Sequence, residues 1–397
     1  MQALPTTSVE ATPRPGPGGT NPTARRYRGE VVFMYAFDIA YELKRYPHAE
    51  LMGQPVAVFS VDASKRSPKQ LFFYRPQMVR MPPTEKFGAD GALLRYQWTA
   101  KLLPVGAISL TVRIPFEVDA LEDLSRYHDF YFQDGKNIHD EARAVAEQLR
   151  QALMPYLVRP RPGLSDEEAY TVFCMHTPTS AALDEPEFDS ERWLTRHRRG
   201  VAAALTEEPE PEQLSEQECQ ESTNNNFTYS RRDLVVFDWD AALVVDEPNQ
   251  FDQTLYVIEL ANVQLTELEA YDRILDEVID SAYADLNSGK FSRIGGRRTQ
   301  RELRVIRVDL ARLTDELSNI TKFFGDFHAG RLYTGLATRF HLPDWRRTID
   351  HKLETLDDIY SLLATDNTNR WMLILETTIV FLILFEIIKT FVDPLMK

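Results

Sequence analysis

The sequence predicts an α+β fold: an N-terminal mixed α/β domain, a long antiparallel helical hairpin of coiled-coil character, and a single C-terminal transmembrane helix. Three observations predict it. Short β-branched and aromatic runs alternate with helical patterns over residues 29–248. From Ile258 onward apolar residues step by three and four, the spacing of a heptad seam. Finally, Trp371 to Ile388 is almost wholly apolar, and as a helix it would rise about 27 Å, close to the roughly 30 Å hydrocarbon core of a bilayer.

Taken in order, residues 1–28 are rich in Pro and Gly and read as a disordered tail. Glu30 to Ala36 (EVVFMYA) has the length and composition of a strand, whereas the Ala, Glu, Leu and Lys of Asp38 to Tyr46 favour helix. Pro55 to Val61, Gln70 to Tyr74, Ala92 to Leu102 and Val105 to Val118 are further strands, the last two joined by a turn at Pro104 and Gly106. Helical patterns follow at Ala120 to Phe130 and Asn137 to Leu157, then a strand at Ala169 to His176 and a helix at Phe188 to Leu205. Thr206 to Asn226 is acidic, with few large apolar residues, and reads as a solvated linker within the 29–248 domain. LVVF and ALVV, around Asp238 to Asp240, form a strand pair closed by Pro248.

The hairpin or stalk is expected over 249–367 and the anchor over 368–397. Its first seam runs Ile258, Ala261, Leu265, Leu268, Asp272, Leu275, Ile279, Ala282, Leu286, with Asp272 the single polar member. A Gly-containing loop, 287–296, leads to a second seam from Leu303 to Phe324. Pro343 then starts a third helix with Ile349, Leu353, Leu356, Tyr360 and Leu363 at the same spacing. That helix either breaks before Trp371 or continues into the apolar span.

Two acids, Glu376 and Glu386, decide how the span can be used. Each costs about 2.5–3.5 kcal/mol at mid-membrane, so the two together roughly cancel the gain from fourteen apolar residues. Ten positions apart they share one side of a helix, which should face protein; Lys389 can pair with Glu386, while Glu376 needs a partner helix. The reading is therefore a membrane-anchored homo-oligomer, a single-pass protein whose N-terminal bulk stays in the cytoplasm, or in the mitochondrial matrix of a eukaryote. The other reading of the span is a hydrophobic helix at the centre of a soluble oligomer.

A net charge of −15 argues against broad electrostatic binding to nucleic acid. Two cysteines without CxxC spacing indicate neither a disulfide framework nor a structural zinc site.

The order of strand pair, long helix, glycine loop, long helix, third helix and apolar helix resembles the required-for-meiotic-nuclear-division family, domain of unknown function 155. Its last helix carries a Leu-Glu pair and a second Glu ten residues later, matched here by Leu375, Glu376 and Glu386. LVVFDWDAALVV is similar to its Phe-Asp-Tyr-Gly strand motif, with Phe237 and Asp238 kept and Trp239 and Asp240 replacing Tyr and Gly. The resemblance implies a bacterial or organellar, non-catalytic tether that supports translation by holding ribosomes at a membrane.

Residues that carry chemistry are few. His128, Asp129, His139 and Asp140 are the densest set of metal-ligand types, although His-Asp pairs beside turns ordinarily cap and solvate. Cys174 and His176 share one face of a strand, as a nucleophile and base would, yet no third group is identifiable. No phosphate-cradling glycine loop occurs. Arg196, Arg198 and Arg199, with Arg297 and Arg298, form basic patches that could meet phosphate or a partner. The expectation is a scaffold without catalytic residue, cofactor, metal or small-molecule substrate, acting through protein or ribonucleoprotein contacts at a membrane. The alternative is an oligomeric ion channel built on the long helices.

Overall fold

The structure is a computed structural model that describes residues 27–44, 47, 50–59, 76–164, 167–178, 187–288, 308 and 327–392. It divides into two compact units, Met1–Glu267 with Asp315–Pro343, and Leu268–Thr314 with Asp344–Lys397.

The first unit is mixed α/β. Its strands are β1 (Tyr27–Asp38), β2 (Ala40–Leu43), β3 (Glu50–Leu51), β4 (Gln54–Val58), β5 (Gln77–Arg80), β6 (Thr84–Phe87), β7 (Leu93–Tyr96), β8 (Thr99–Leu102), β9 (Ala107–Val118), β10 (Leu157–Pro160), β11 (Glu167–His176), β12 (Asn226–Phe227), β13 (Leu234–Phe237) and β14 (Ala241–Asp246). Ten of them form one sheet in the order β12-β13-β14-β11-β1-β9-β8-β5-β4-β3. β1 is its centre, antiparallel to β9 and to β11, while β11 and β14 run parallel. Parallel neighbours need a crossover, and here it carries helices α2 (Ser190–Leu205) and α3 (Glu216–Asn224).

Both faces of the sheet are covered, so EVVFMYA reads as a continuous apolar run without alternation. Val31, Phe33, Tyr35 and Phe37 join one core with α2 and with α1 (Ile138–Leu153). Val32, Met34 and Ala36 are also buried, and by the two-residue period of a strand they point to the other face. That face receives Phe251–Glu267 of helix α4 (Phe251–Ser288), through contacts from Glu259 to β8 and β9 and from Asn262 to β11. α5 (Phe327–Arg339) packs beside it against Phe227 and Phe237.

In the second unit, Asp344 onward of α6 (Leu342–Val392) meets the later part of α4. Lys352 Nζ lies 2.6 Å from both Asp272 Oδ1 and Asp276 Oδ1. The polar member of the first seam is thus neutralised within the chain. α6 does not break before Trp371.

These observations correct the sequence reading. The architecture is a mixed α/β fold with a large mixed sheet, in place of a small sheet followed by a stalk and an anchor. Among the described residues, no helix is long and apolar enough to cross a membrane. The exposed run Met372–Phe385 is interrupted by Glu376, Thr377 and Thr378. The transmembrane anchor and the single-pass localisation are therefore not supported. Glu376 is exposed on α6; the side chains of Glu386 and Lys389 lie outside the described ones.

Local differences have local reasons. Of the expected helix Asp38 to Tyr46, the described residues Asp38 to Lys44 supply the end of β1 and β2, because Gly106 O accepts hydrogen bonds from Ile39 N and Ala40 N, both at 3.1 Å; Arg45 and Tyr46 lie outside the described residues. Gly106 has φ +91, and a Cβ there would sit 2.1 Å from Ala40 O, so tertiary contact overrides helix propensity. Within the acidic stretch 206–226, Ser215 caps α3 by accepting from Glu218 N, which gives those residues a helix. Gln70 to Tyr74 and the seam from Leu303 to Phe324, apart from Val308, lie outside the described residues.

Candidate functional site

The histidine and aspartate residues singled out in the sequence are dispersed by the fold. His128 follows a 3-10 turn and reaches the end of α2, where Nε2 donates to Ala204 O at 2.6 Å and Nδ1 lies 3.0 Å from Glu207 Oε1. An imidazole there satisfies one of the open carbonyls of a helix C-terminus. His139 Nε2 instead lies 3.1 Å from Glu167 Oε1, which also accepts from Arg143 at 2.7 Å. Asp140 closes a capping box with Asn137 at the start of α1. Among the described residues, no three His, Cys, Asp or Glu side chains converge on a metal position.

Cys174 and His176 do share a face of β11. Cys174 is fully buried, and burial pushes its thiol well above the ordinary range, which disfavours the thiolate a nucleophile needs. His176 stacks on Phe251 with ring centroids 6.1 Å apart, and burial lowers its pKa. Both side chains serve the packing of α4 on the sheet.

Of the arginines, Arg199 is committed to the chain: it donates to Pro211 O at 3.1 Å and Leu214 O at 2.6 Å, holding the connection between α2 and α3. Arg196 is exposed and Arg198 half-buried on the same helix; Arg297 and Arg298 lie outside the described residues.

Two buried polar clusters escaped the sequence reading. Lys101 of β8 and Ser109 of β9 both donate to Glu259 of α4, the serine at 2.6 Å. The Lys101 ammonium also lies 4.1 Å from the Phe59 ring centroid. At the β13–β14 turn, Arg339 of α5 pairs with Asp238, while the Tyr170 hydroxyl donates to Asp238 O and Ala241 O, both at 2.9 Å. Asp240 in that turn is exposed at the surface, and partial desolvation together with the neighbouring Asp238 charge raises its pKa. The only sequence signal for either cluster was a charged residue inside an otherwise apolar strand or helix face.

The exposed apolar side chains of the described residues are concentrated on one stretch of α6. Along Met372–Phe385 eleven large side chains are 49–70% exposed, including Phe381 and Phe385. The hydroxyls of Thr377 and Thr378 donate to Leu373 O and Ile374 O, each at 2.7 Å, so these residues turn only methyl groups outward.

The fold and this surface define a class: an α/β domain whose mixed sheet is covered on both faces at its central strands, in a chain that also carries a long helix with exposed apolar side chains. The chain belongs to the family described as uncharacterized protein MJ0711, N-terminal domain, whose model matches residues 28–252. It is similar to uncharacterized protein MJ0711 of Methanocaldococcus jannaschii, 26% identical over 221 residues, covering 56% of this chain and 65% of that protein. The chain thus spans less than two thirds of that relative's length. No solved structure matches. This family replaces the meiotic-nuclear-division resemblance, and nothing supports the bacterial or organellar origin that went with it. The Leu375, Glu376 and Glu386 pattern lies outside the matched residues, which is why it misled.

Proposed function

We propose that this protein is a non-enzymatic assembly scaffold, in which α6 joins copies of the chain and the family domain is displayed to protein partners. The observation that carries the reading is the exposed, largely apolar run Met372–Phe385, in which Glu376 is the one charged residue. Contiguous apolar surface beyond a few hundred Å² is uncommon on a monomer and marks interaction sites. A helix that is apolar on nearly every side requires cover on nearly every side. The use of Cys174, His128, His139 and Arg199 in packing, capping and ion pairing also favours a scaffold over an enzyme.

Light scattering on a sizing column, applied to the full chain and to a Leu382→Lys, Phe385→Lys variant, tests the proposal. The unmodified chain is expected at a multiple of its 45.7 kDa mass and the variant at one copy. A variant that keeps the larger mass would show that α6 is not the joining element.

A further inference from the structure

The apolar run is not uniform around the helix. At 100° per residue, Leu373, Thr377 and Phe381 form one row and Ile374, Thr378, Leu382 and Phe385 the next. Together they line a shallow groove of about 680 Å³. Its floor is the pair Thr377 and Thr378, whose hydroxyls are turned back onto their own helix. Glu376 lies about 150° from the centre of this face, so a partner seated in the groove leaves that carboxylate in water.

The face is complementary to itself when two copies run antiparallel. With a two-fold axis between Ile379 and Val380, Thr378 of one copy faces Phe381 of the other, Thr377 faces Leu382, and Ile374 faces Phe385. The Phe381 ring then fills the hollow above the threonines at the usual helix separation of about 8–10 Å. A parallel, in-register pair would set threonine on threonine, a void, and phenylalanine on phenylalanine, a collision, each of which is destabilising. Phe381 and Phe385, 70% and 65% exposed, leave about 200–350 Å² to bury, and with the three aliphatic side chains the face makes a small interface, below the roughly 800 Å² that one partner of a standard interface buries.

We infer that α6 pairs with α6 of a second copy through the Thr377–Thr378 face, antiparallel and about a two-fold axis, with Phe381 of each chain seated in the other's threonine hollow. This rests on the self-assembly proposed above and adds the face, the orientation and the closed symmetry. Remaining apolar side chains, Ile379 and Ile383 among them, stay available to join such pairs further.

Cysteine pairing distinguishes the arrangements in the full chain, where native Cys174 and Cys219 are buried and free. Thr378→Cys and Phe381→Cys chains, mixed and oxidised, are expected to form a mixed disulfide, whereas neither alone cross-links. Self-cross-linking of each variant would mean a parallel pair and would overturn the inference. Assembly without any of these cross-links would place the contact on another face, overturning the inference while self-assembly stands. A single-copy mass for the unmodified chain would remove both. Volume exchange supplies a second readout: Thr378→Phe alone should weaken the pair about tenfold or more, and Thr378→Phe with Phe381→Thr should restore it. Failure of the double variant to recover, with helicity unchanged, also counts against the inference.

Discussion

At the scale of single residues, histidines that suggested chemistry do structural work. His128 offers its ring to the last turn of α2 and to Glu207. His128→Ala should therefore lower stability by about 1–2 kcal/mol, read as a shift in the urea midpoint at constant slope, since a helix-end carbonyl is left without its donor. An unchanged midpoint would return His128 to the set of residues without a role. His176 makes a pH prediction. Burial, reinforced by the Arg28 charge, holds its pKa below the ordinary 6.5. The unfolded chain then binds the proton first, so the contribution of the neutral ring is present above about 6.5 and is lost as pH falls from there toward the folded value. The urea midpoint should drop more for the wild-type chain than for His176→Phe between about pH 7.5 and about pH 5.5. Equal drops would exclude His176 as the source. Neither role was legible beforehand, because a sequence shows that His128 precedes Asp129 but not that Ala204 O ends a helix beside it.

At the scale of elements, most strands and helices of the family domain were legible. β1, β9, β11, β13 and β14 announce themselves as β-branched runs, and Asn137 and Asp189 cap α1 and α2 by accepting from Asp140 N and Arg192 N. Failures came where tertiary contacts decide, as at β2, or where a cap organises a polar stretch, as at α3. How α4 and α5 attach was hidden as well, since it depends on residues far apart. Gly335 of α5 faces the Phe227 and Phe237 rings, stacked at 5.6 Å, and a Cβ there would lie 2.8 Å from each. Alanine at 335 gains up to about 1 kcal/mol of helix propensity but overpacks those rings, so Gly335→Ala should destabilise by about 1–2 kcal/mol net. Stabilisation would mean the rings retreat freely. Glu259→Gln should cost about 3–5 kcal/mol, because it leaves Lys101 buried without its counter-charge; a Lys101→Met, Glu259→Leu pair should recover most of it. Additive losses in that double-mutant cycle would deny the coupling.

For the whole molecule, the apolar run was read as a bilayer span, and among the described residues no helix is long and apolar enough to be one. Length alone cannot separate a span from an assembly helix when Glu376 and two threonines lie within it. Family membership was also beyond reach from the run, since the shared domain ends at residue 252. What remains is a mixed sheet whose central strands are buried on both faces and a long helix whose exposed apolar surface asks for cover. Sedimentation equilibrium of the unmodified chain over a dilution series tests that account most directly. The account predicts an average mass at or above two copies of 45.7 kDa at high concentration, falling toward one copy on dilution. A mass of one copy at every concentration would contradict it.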